Sequence, residues 1–176
     1  MRKGVTVLND RRKKAGKEIF NIGIGISTGE VLSGNIGSEK RMDYTVIGDD
    51  INISQYLEKL NKQYGTGSLI SESTNGELGD HFVTRLIDRV IFKGKKRPVS
   101  VFEVLGEKGY TLSQVEEIFY QGLSLFNKSE FLKALSLFAG AAENDPPSSV
   151  FLERCRYFIK NLPSPDWNGL WMNGER

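Results

Sequence analysis

The sequence predicts a mixed α/β part followed by an all-helical part, and three observations carry that reading. Short apolar runs with two-residue alternation or β-rich composition occupy the first hundred residues, while three-to-four-residue periodicity takes over from Ser113. Six glycines also crowd between Gly23 and Gly48, where the chain needs tight turns or close backbone approach.

Each element follows from its residues. Phe20, Ile22, Ile24 and Ile26 alternate with Asn21, Gly23, Gly25 and Ser27, a strand whose glycine face is suited to lie against another backbone or a ligand. Tyr44 to Ile47 is a short β-rich run closed by Gly48. Asp49-Asp50 then marks a helix N-terminus, where acidic groups suit the dipole. Ile53, Tyr56/Leu57, Leu60 and Tyr64 continue that helix until Gly65-Thr66-Gly67 stops it. Ser68 to Ile70, Phe82 to Phe92 and Val99 to Val104 read as strands, the last two joined by the Gly- and Lys-rich turn Phe92 to Pro98. After a boundary at residues 106–112 come helices around Val115 to Phe126, Phe131 to Ala141 and Val150 to Leu162. Ser129 is the expected cap of the second, and Asp145 to Ser149 the break before the third.

Composition narrows the function classes. With 24 Lys+Arg against 22 Asp+Glu, bulk charge recruits neither nucleic acid nor membrane. Cys155 is the single cysteine and His81 the single histidine, so there is no internal disulfide and no Cys/His zinc set; any metal would need carboxylates. No apolar run approaches the roughly 20 residues that span a bilayer. A reduced, cytoplasmic protein is the default expectation.

Generic chemistry is mostly excluded by spacing. Gly23-Ile24-Gly25 and Gly29 lack the helix that a dinucleotide fingerprint places after them, and no phosphate-loop Gly-Lys-Ser/Thr exists. Ser27, Ser33 and Ser38 have only His81 as a histidine base, which argues against a hydrolase triad. His81 itself reads as a surface loop residue. Lys93, Lys95, Lys96 and Arg97 in a tight turn fit a solvated hairpin better than a phosphate site on composition alone. One constellation remains. Asn52 and Tyr56, four apart on one helix face, lie beside a Gly-rich turn and opposite a Lys-rich one, a place suited either to a nucleotide or to an ordinary amphipathic helix.

The stretch from Gly25 through Ser27-Thr28-Gly29-Glu30, Gly34-Asn35-Ile36-Gly37, Asp43-Tyr44-Thr45-Val46-Ile47-Gly48-Asp49-Asp50-Ile51-Asn52 resembles the second half of a class III adenylate/guanylate cyclase domain. Leu57-Glu58, Gly65, Ser71 to Thr74, Phe92-Lys93-Gly94-Lys95 and Val101 to Val104 continue it over residues 15–106. The resemblance implies a partial ferredoxin-like cyclase sandwich, with Met1 to Lys17 as the helix before the Gly-rich strand, working as a dimer with sites at the interface. It divides the chain into a cyclase part, 1–106, and a helical extension, 107–176, like that of some bacterial adenylate cyclases. In the extension Gly122, Ala134, Phe138, Ala141 and Pro146 also have tetratricopeptide-like spacing, which fits a peptide-binding repeat or an ordinary αα-hairpin equally.

Carried over by position, the resemblance makes Thr45 a purine-reading group, Asn52 the ribose-orienting residue and Lys93 the triphosphate contact. The choice of adenine over guanine rests on Thr45 alone. The family reaction is attack of the ribose 3′-oxygen on the α-phosphate with loss of pyrophosphate, a phosphorus–oxygen lyase forming cyclic AMP from ATP, with Mg²⁺ or Mn²⁺. Two departures stand against activity. Tyr56 occupies the position of the family's transition-state Arg, and a phenol supplies neither charge nor fork; losing one such group costs roughly 3 to 4 kcal/mol. Lys59 is the nearest cation that could compensate. The family's two metal-binding Asp belong to the first half of the domain, which this chain does not contain, and Asp43, Asp49 and Asp50 lie on the purine and ribose side. The expectation is therefore the back half of a longer protein, inactive alone, that could pair with itself or with a complete cyclase domain. The alternative is a non-catalytic nucleotide-binding or regulatory module.

Overall fold

The alternation that begins at Phe20 becomes a strand only at its far end. In the computed structural model, which describes residues 1–38, 41–92 and 97–171, the first strand is Ile24–Ile26 (β1), preceded by the helix Arg2–Lys14 (α1). Phe20 is withheld from any sheet because the Asn9 side chain takes both of its backbone groups. Asn9 Nδ2 donates to the Phe20 carbonyl at 2.7 Å, and the Phe20 N–H donates to Asn9 Oδ1 at 2.8 Å.

After β1 the chain forms the hairpin Leu32–Ser38 (β2) and Arg41–Ile47 (β3), with Gly34 opposite Thr45 and Leu32 opposite Ile47. The helix Asp49–Tyr64 (α2) follows and ends at Gly65, whose φ of 65° is the left-handed cap that the sequence predicts. Ser68–Ser71 (β4), the short helix Glu72–Glu77 (α3), Phe82–Val90 (β5) and Val99–Glu107 (β6) complete the α/β part. The main sheet has the order β1-β4-β6-β5, with β1 parallel to β4 and the other pairs antiparallel; β2 and β3 form a separate two-stranded sheet. β1 thus stands at an edge, and Ile26 is exposed. The glycine face of β1 meets the backbone of α2: a Cβ on Gly25 would lie 2.1 Å from the Ser54 carbonyl oxygen.

Three helices follow, Gln114–Asn127 (α4), Phe131–Ala141 (α5) and Pro146–Lys160 (α6). Two expected boundaries shift. Ser129 does not cap α5; it takes φ 61° as the chain leaves α4, its N–H donating to the Phe126 carbonyl, and Glu130 holds the cap position. Asp145 to Ser149 is the start of α6 rather than a break before it. The Asp145 carboxylate accepts from the Ser148 N–H, and proline is tolerated at the first helical positions because those N–H groups lack intrahelical partners anyway.

A single apolar cluster joins both parts. Ile53, Leu57 and Tyr64 of α2 and Leu69, Ile87, Val90 and Val101 of the sheet share it with Phe119, Leu123, Phe126, Phe138, Phe151 and Phe158 of the helices. Gly122 is small because Phe138 crosses it, 2.7 Å from where a Cβ would stand. Trp167 closes the far end, its ring 5.4, 5.6 and 5.0 Å from those of Phe126, Phe131 and Phe158. Cys155 is a buried free thiol, and His81 is exposed beside a turn. Among the described residues no helix is long and apolar enough to cross a membrane.

Candidate functional site

The junction between β3 and α2 assembles the first two candidate residues. Gly48 joins them in an extended conformation, so Thr45 stands three residues before the junction and Asn52 in the first turns after it. The Asn52 side chain is exposed and Thr45 half-buried. Across the hairpin from Thr45, Gly34 has open space where its side chain would be.

The acidic start of α2 is held in place by hydroxyl groups. Ser27 Oγ donates to Asp50 Oδ1 at 2.6 Å and lies 3.0 Å from Ser71 Oγ, which in turn accepts from the Thr74 N–H and lies 2.8 Å from Ser73 Oγ. Gly29 is required there, because a Cβ would stand 1.7 Å from Asp50 Oδ2. Asp50 therefore fixes the loop after β1 to the helix start. Among the described residues no three acidic, histidine or cysteine side chains converge.

Asn52 and Tyr56 share a helix, but their surroundings differ. The Tyr56 ring is half-buried and stacks on Phe92, centroids 5.1 Å apart at an interplanar angle of 11°. The Lys59 ammonium lies 5.9 Å from the Tyr56 ring centroid, a cation placed on the ring rather than in its stead. Phe92 is buried and is bonded directly to Lys93; Lys93 itself lies outside the described residues. The stack thus ties the end of the strand region to the helix that carries Asn52.

About two helical turns further along α2, a buried ionic group makes a second tie. Tyr64 Oη donates to Asp88 Oδ2 at 2.5 Å, Arg154 Nη1 donates to the same oxygen at 2.6 Å, and Arg154 Nη2 donates to Tyr64 Oη at 3.0 Å. Burial first, and then the Asp88 charge, push the Tyr64 hydroxyl far above the ordinary phenol range. Burial works against the Arg154 charge, but Asp88 and Tyr64 together outweigh it and keep the guanidinium above its usual value. A similar set joins the sheet to α6. Arg85 donates to Glu103 Oε2 at 2.9 and 2.8 Å and to Asp145 Oδ1 at 2.7 Å, with its guanidinium 4.9 Å from the Phe119 ring centroid.

Of the candidates that the sequence offers, Thr45 and Asn52 stand on either side of the β3–α2 junction; the Tyr56–Phe92 stack and the Tyr64–Asp88–Arg154 group were not foreseen. Phe92 carried a usable signal, as an aromatic at the end of an apolar run just before Lys93. Asp88 and Arg154 carried none, because opposite charges 66 residues apart have no local pattern.

Comparison with known proteins places these residues in context. A family profile described as "Adenylate and Guanylate cyclase catalytic domain" matches residues 5–122. The chain is 34% identical over 150 residues to "Adenylate cyclase, terminal-differentiation specific" of Dictyostelium discoideum, covering 80% of this chain and 7% of that protein. It is 40% identical over 111 residues to "Adenylate cyclase" of Anabaena cylindrica, covering 59% of this chain and 22% of that protein. The crystal structure of the adenylyl cyclase CyaB from P. aeruginosa is similar with a TM-score of 0.54 at 32% identity, over 63% of this chain and 56% of that one. The chain therefore spans less than a quarter of the length of either curated relative.

Proposed function

Because the chain belongs to the family of adenylate and guanylate cyclase catalytic domains, we propose that its α/β part, residues 1–106, is a binding half-site for ATP that is catalytically silent in the 176-residue chain. Thr45 exchanges a hydrogen bond with the adenine edge, Asn52 orients the ribose, and Lys93 contacts the triphosphate as a flexible point charge. The observation that supports this reading is the β3–α2 junction, where Thr45 and Asn52 flank Gly48 and the cross-strand partner of Thr45, Gly34, borders open space.

The same geometry supports silence. The family reaction needs cationic stabilisation of phosphoryl charge, and at the relevant helix position a phenol is packed on Phe92 instead. What this chain's own residues do is bind and orient the nucleotide. A second cyclase-type subunit, identical or complete, is the partner class that the family's dimeric working form suggests, and residues 107–176 read as an αα-hairpin and third helix serving the core rather than a peptide-binding repeat. The buried faces of Phe119, Phe138 and Phe151 favour this last point.

Calorimetric titration with a nonhydrolysable ATP analogue tests the site. Binding is expected, weakened about tenfold by Asn52→Ala, which removes hydrogen bonds worth on the order of 1 kcal/mol each. No cyclic AMP should form from ATP with Mg²⁺ or Mn²⁺. Failure of the analogue to bind refutes the half-site, and cyclic AMP formation refutes the silence.

A further inference from the structure

We infer that Ser27 and Asp50 form a positioning pair for Asn52: the bond between them sets the rotation of the first turn of α2, and with it the side from which Asn52 meets a nucleotide. This rests on the nucleotide-binding reading of Asn52 and adds what holds that residue in place. Four observations carry it. Gly48 stands at the cap position of α2 and has no side chain with which to hold the first turn. Ser27 Oγ donates to Asp50 Oδ1 at 2.6 Å, from a loop 23 residues earlier. Asp50 and Asn52 are two residues apart, about 200° around the helix, so a half-buried Asp50 held against the body turns Asn52 outward, where it is exposed. A Cβ on Gly29 would stand 1.7 Å from Asp50 Oδ2, so the carboxylate is seated directly on the backbone of the loop.

The pair has a firm base. Ile26 and Ile70 are in register across the parallel β1–β4 pair, so Ser27 and Ser71 follow them side by side. Because the single Ser27 proton goes to Asp50, Ser71 is left to donate to Ser27 Oγ across 3.0 Å. Ser71 in turn accepts from the Thr74 N–H, and Thr74 Oγ1 lies 3.1 Å from Thr28 Oγ1, which returns the chain of hydroxyls to the loop. Ser73 Oγ donates to the Thr28 carbonyl at 2.7 Å. Ser71 and Thr74 are buried, so the donors that end on the Asp50 carboxylate are backed by protein rather than water. Loss of the Ser27 hydroxyl would release the first turn of α2 without removing any group assigned to the nucleotide. The effect must then fall on recognition of the ribose.

Ser27→Ala and Ser27→Thr in the full chain, beside Asn52→Ala, test this by two readouts. The first is calorimetric titration with ATP and with 2′,3′-dideoxy-ATP; base and triphosphate are common to both, so the affinity ratio reports the ribose alone. Wild type should favour ATP about tenfold, the worth of one hydrogen bond to the sugar. Ser27→Ala should bring the ratio near one, as Asn52→Ala does, while Ser27→Thr, which keeps the hydroxyl, should retain it. Joining Ser27→Ala to Asn52→Ala should lower it no further. An unchanged ratio in Ser27→Ala overturns the inference even where both affinities fall together, because a merely structural tie would act in that way. The second readout is amide hydrogen exchange at Asn52, Ile53 and Ser54, the first amides that bond within the helix, which should quicken about tenfold in Ser27→Ala. If wild type binds neither nucleotide, or does not distinguish them, the half-site reading fails and exchange alone decides whether the pair holds the turn: faster exchange supports it, and unchanged exchange overturns it.

Discussion

Glu116 shows how one side chain joins the helical extension to its linker. Its Oε2 accepts from the Ser113 N–H at 2.7 Å and the Ser113 hydroxyl at 2.8 Å, and the Tyr110 hydroxyl donates to the same carboxylate at 3.0 Å. Burial works against the charge, but these donors outweigh it and hold the Glu116 carboxyl below its ordinary value. A lowered folded value means that the bound, charged form stabilises the protein fully above the unfolded value of 4.5, and that this contribution is lost as the pH falls through the lowered folded value. Glu116→Gln should therefore cost about 1 kcal/mol at neutral pH, since hydrogen bonds to a charged acceptor exceed neutral ones by about that much. In urea titrations across pH, the difference between wild type and variant should shrink as the medium is acidified below 4.5. A difference that does not depend on pH would mean that Glu116 acts through packing alone.

The elements are held together by side chains that sequence order separates. Arg154 of α6 reaches Asp88 of β5 and Tyr64 of α2, so the extension clamps the helix that carries Asn52 to the strand that leads to Lys93. Arg154→Met would leave Asp88 buried beside a phenol with its charge uncompensated, a loss of roughly 3–5 kcal/mol. The double variant Arg154→Met with Asp88→Leu should recover a large part of that loss, because both buried charges then disappear. Urea denaturation of the single and double variants measures this, and a double variant no more stable than the single one would show that the pair is not the source of the loss. The same separation limits what the sequence discloses. α2, α4 and α5 were legible because their apolar residues recur on one face, and Gly65 marked its stop. β2 was not, since Gly34 and Gly37 lower its strand character and its partner β3 supplies the order. The shortening of β1 followed from Asn9 capturing Phe20, a contact that periodicity does not encode. At the site, Thr45 and Asn52 were legible through the motif around Gly48, whereas the Tyr56–Phe92 stack depended on how β5 returns beside α2.

For the molecule as a whole, the β2–β3 hairpin poses an unmet requirement. It is hydrogen-bonded to no other described strand, and Leu32 and Tyr44 are 79% and 72% exposed, with Val31, Val46, Ile47 and Ile26 also exposed nearby in the chain. A lone two-stranded hairpin is marginal in water, and neighbouring exposed apolar groups mark an association surface. Thr45 lies in the same hairpin, so association there would bring this proposed purine contact to an interface, in keeping with the dimeric working form of the family. The chain should self-associate through this end in a concentration-dependent way. Burying one Leu side chain contributes roughly 1.5–3 kcal/mol, so Leu32→Glu should weaken association at least about tenfold. Because Leu32 is exposed in the single chain, the melting temperature of the dilute monomer should hardly change. Sedimentation velocity over a range of concentrations reads both species directly. An unchanged monomer fraction in Leu32→Glu would move the interface elsewhere, whereas a shift to monomer with the fold intact would identify the hairpin as the surface on which a second cyclase-type chain rests.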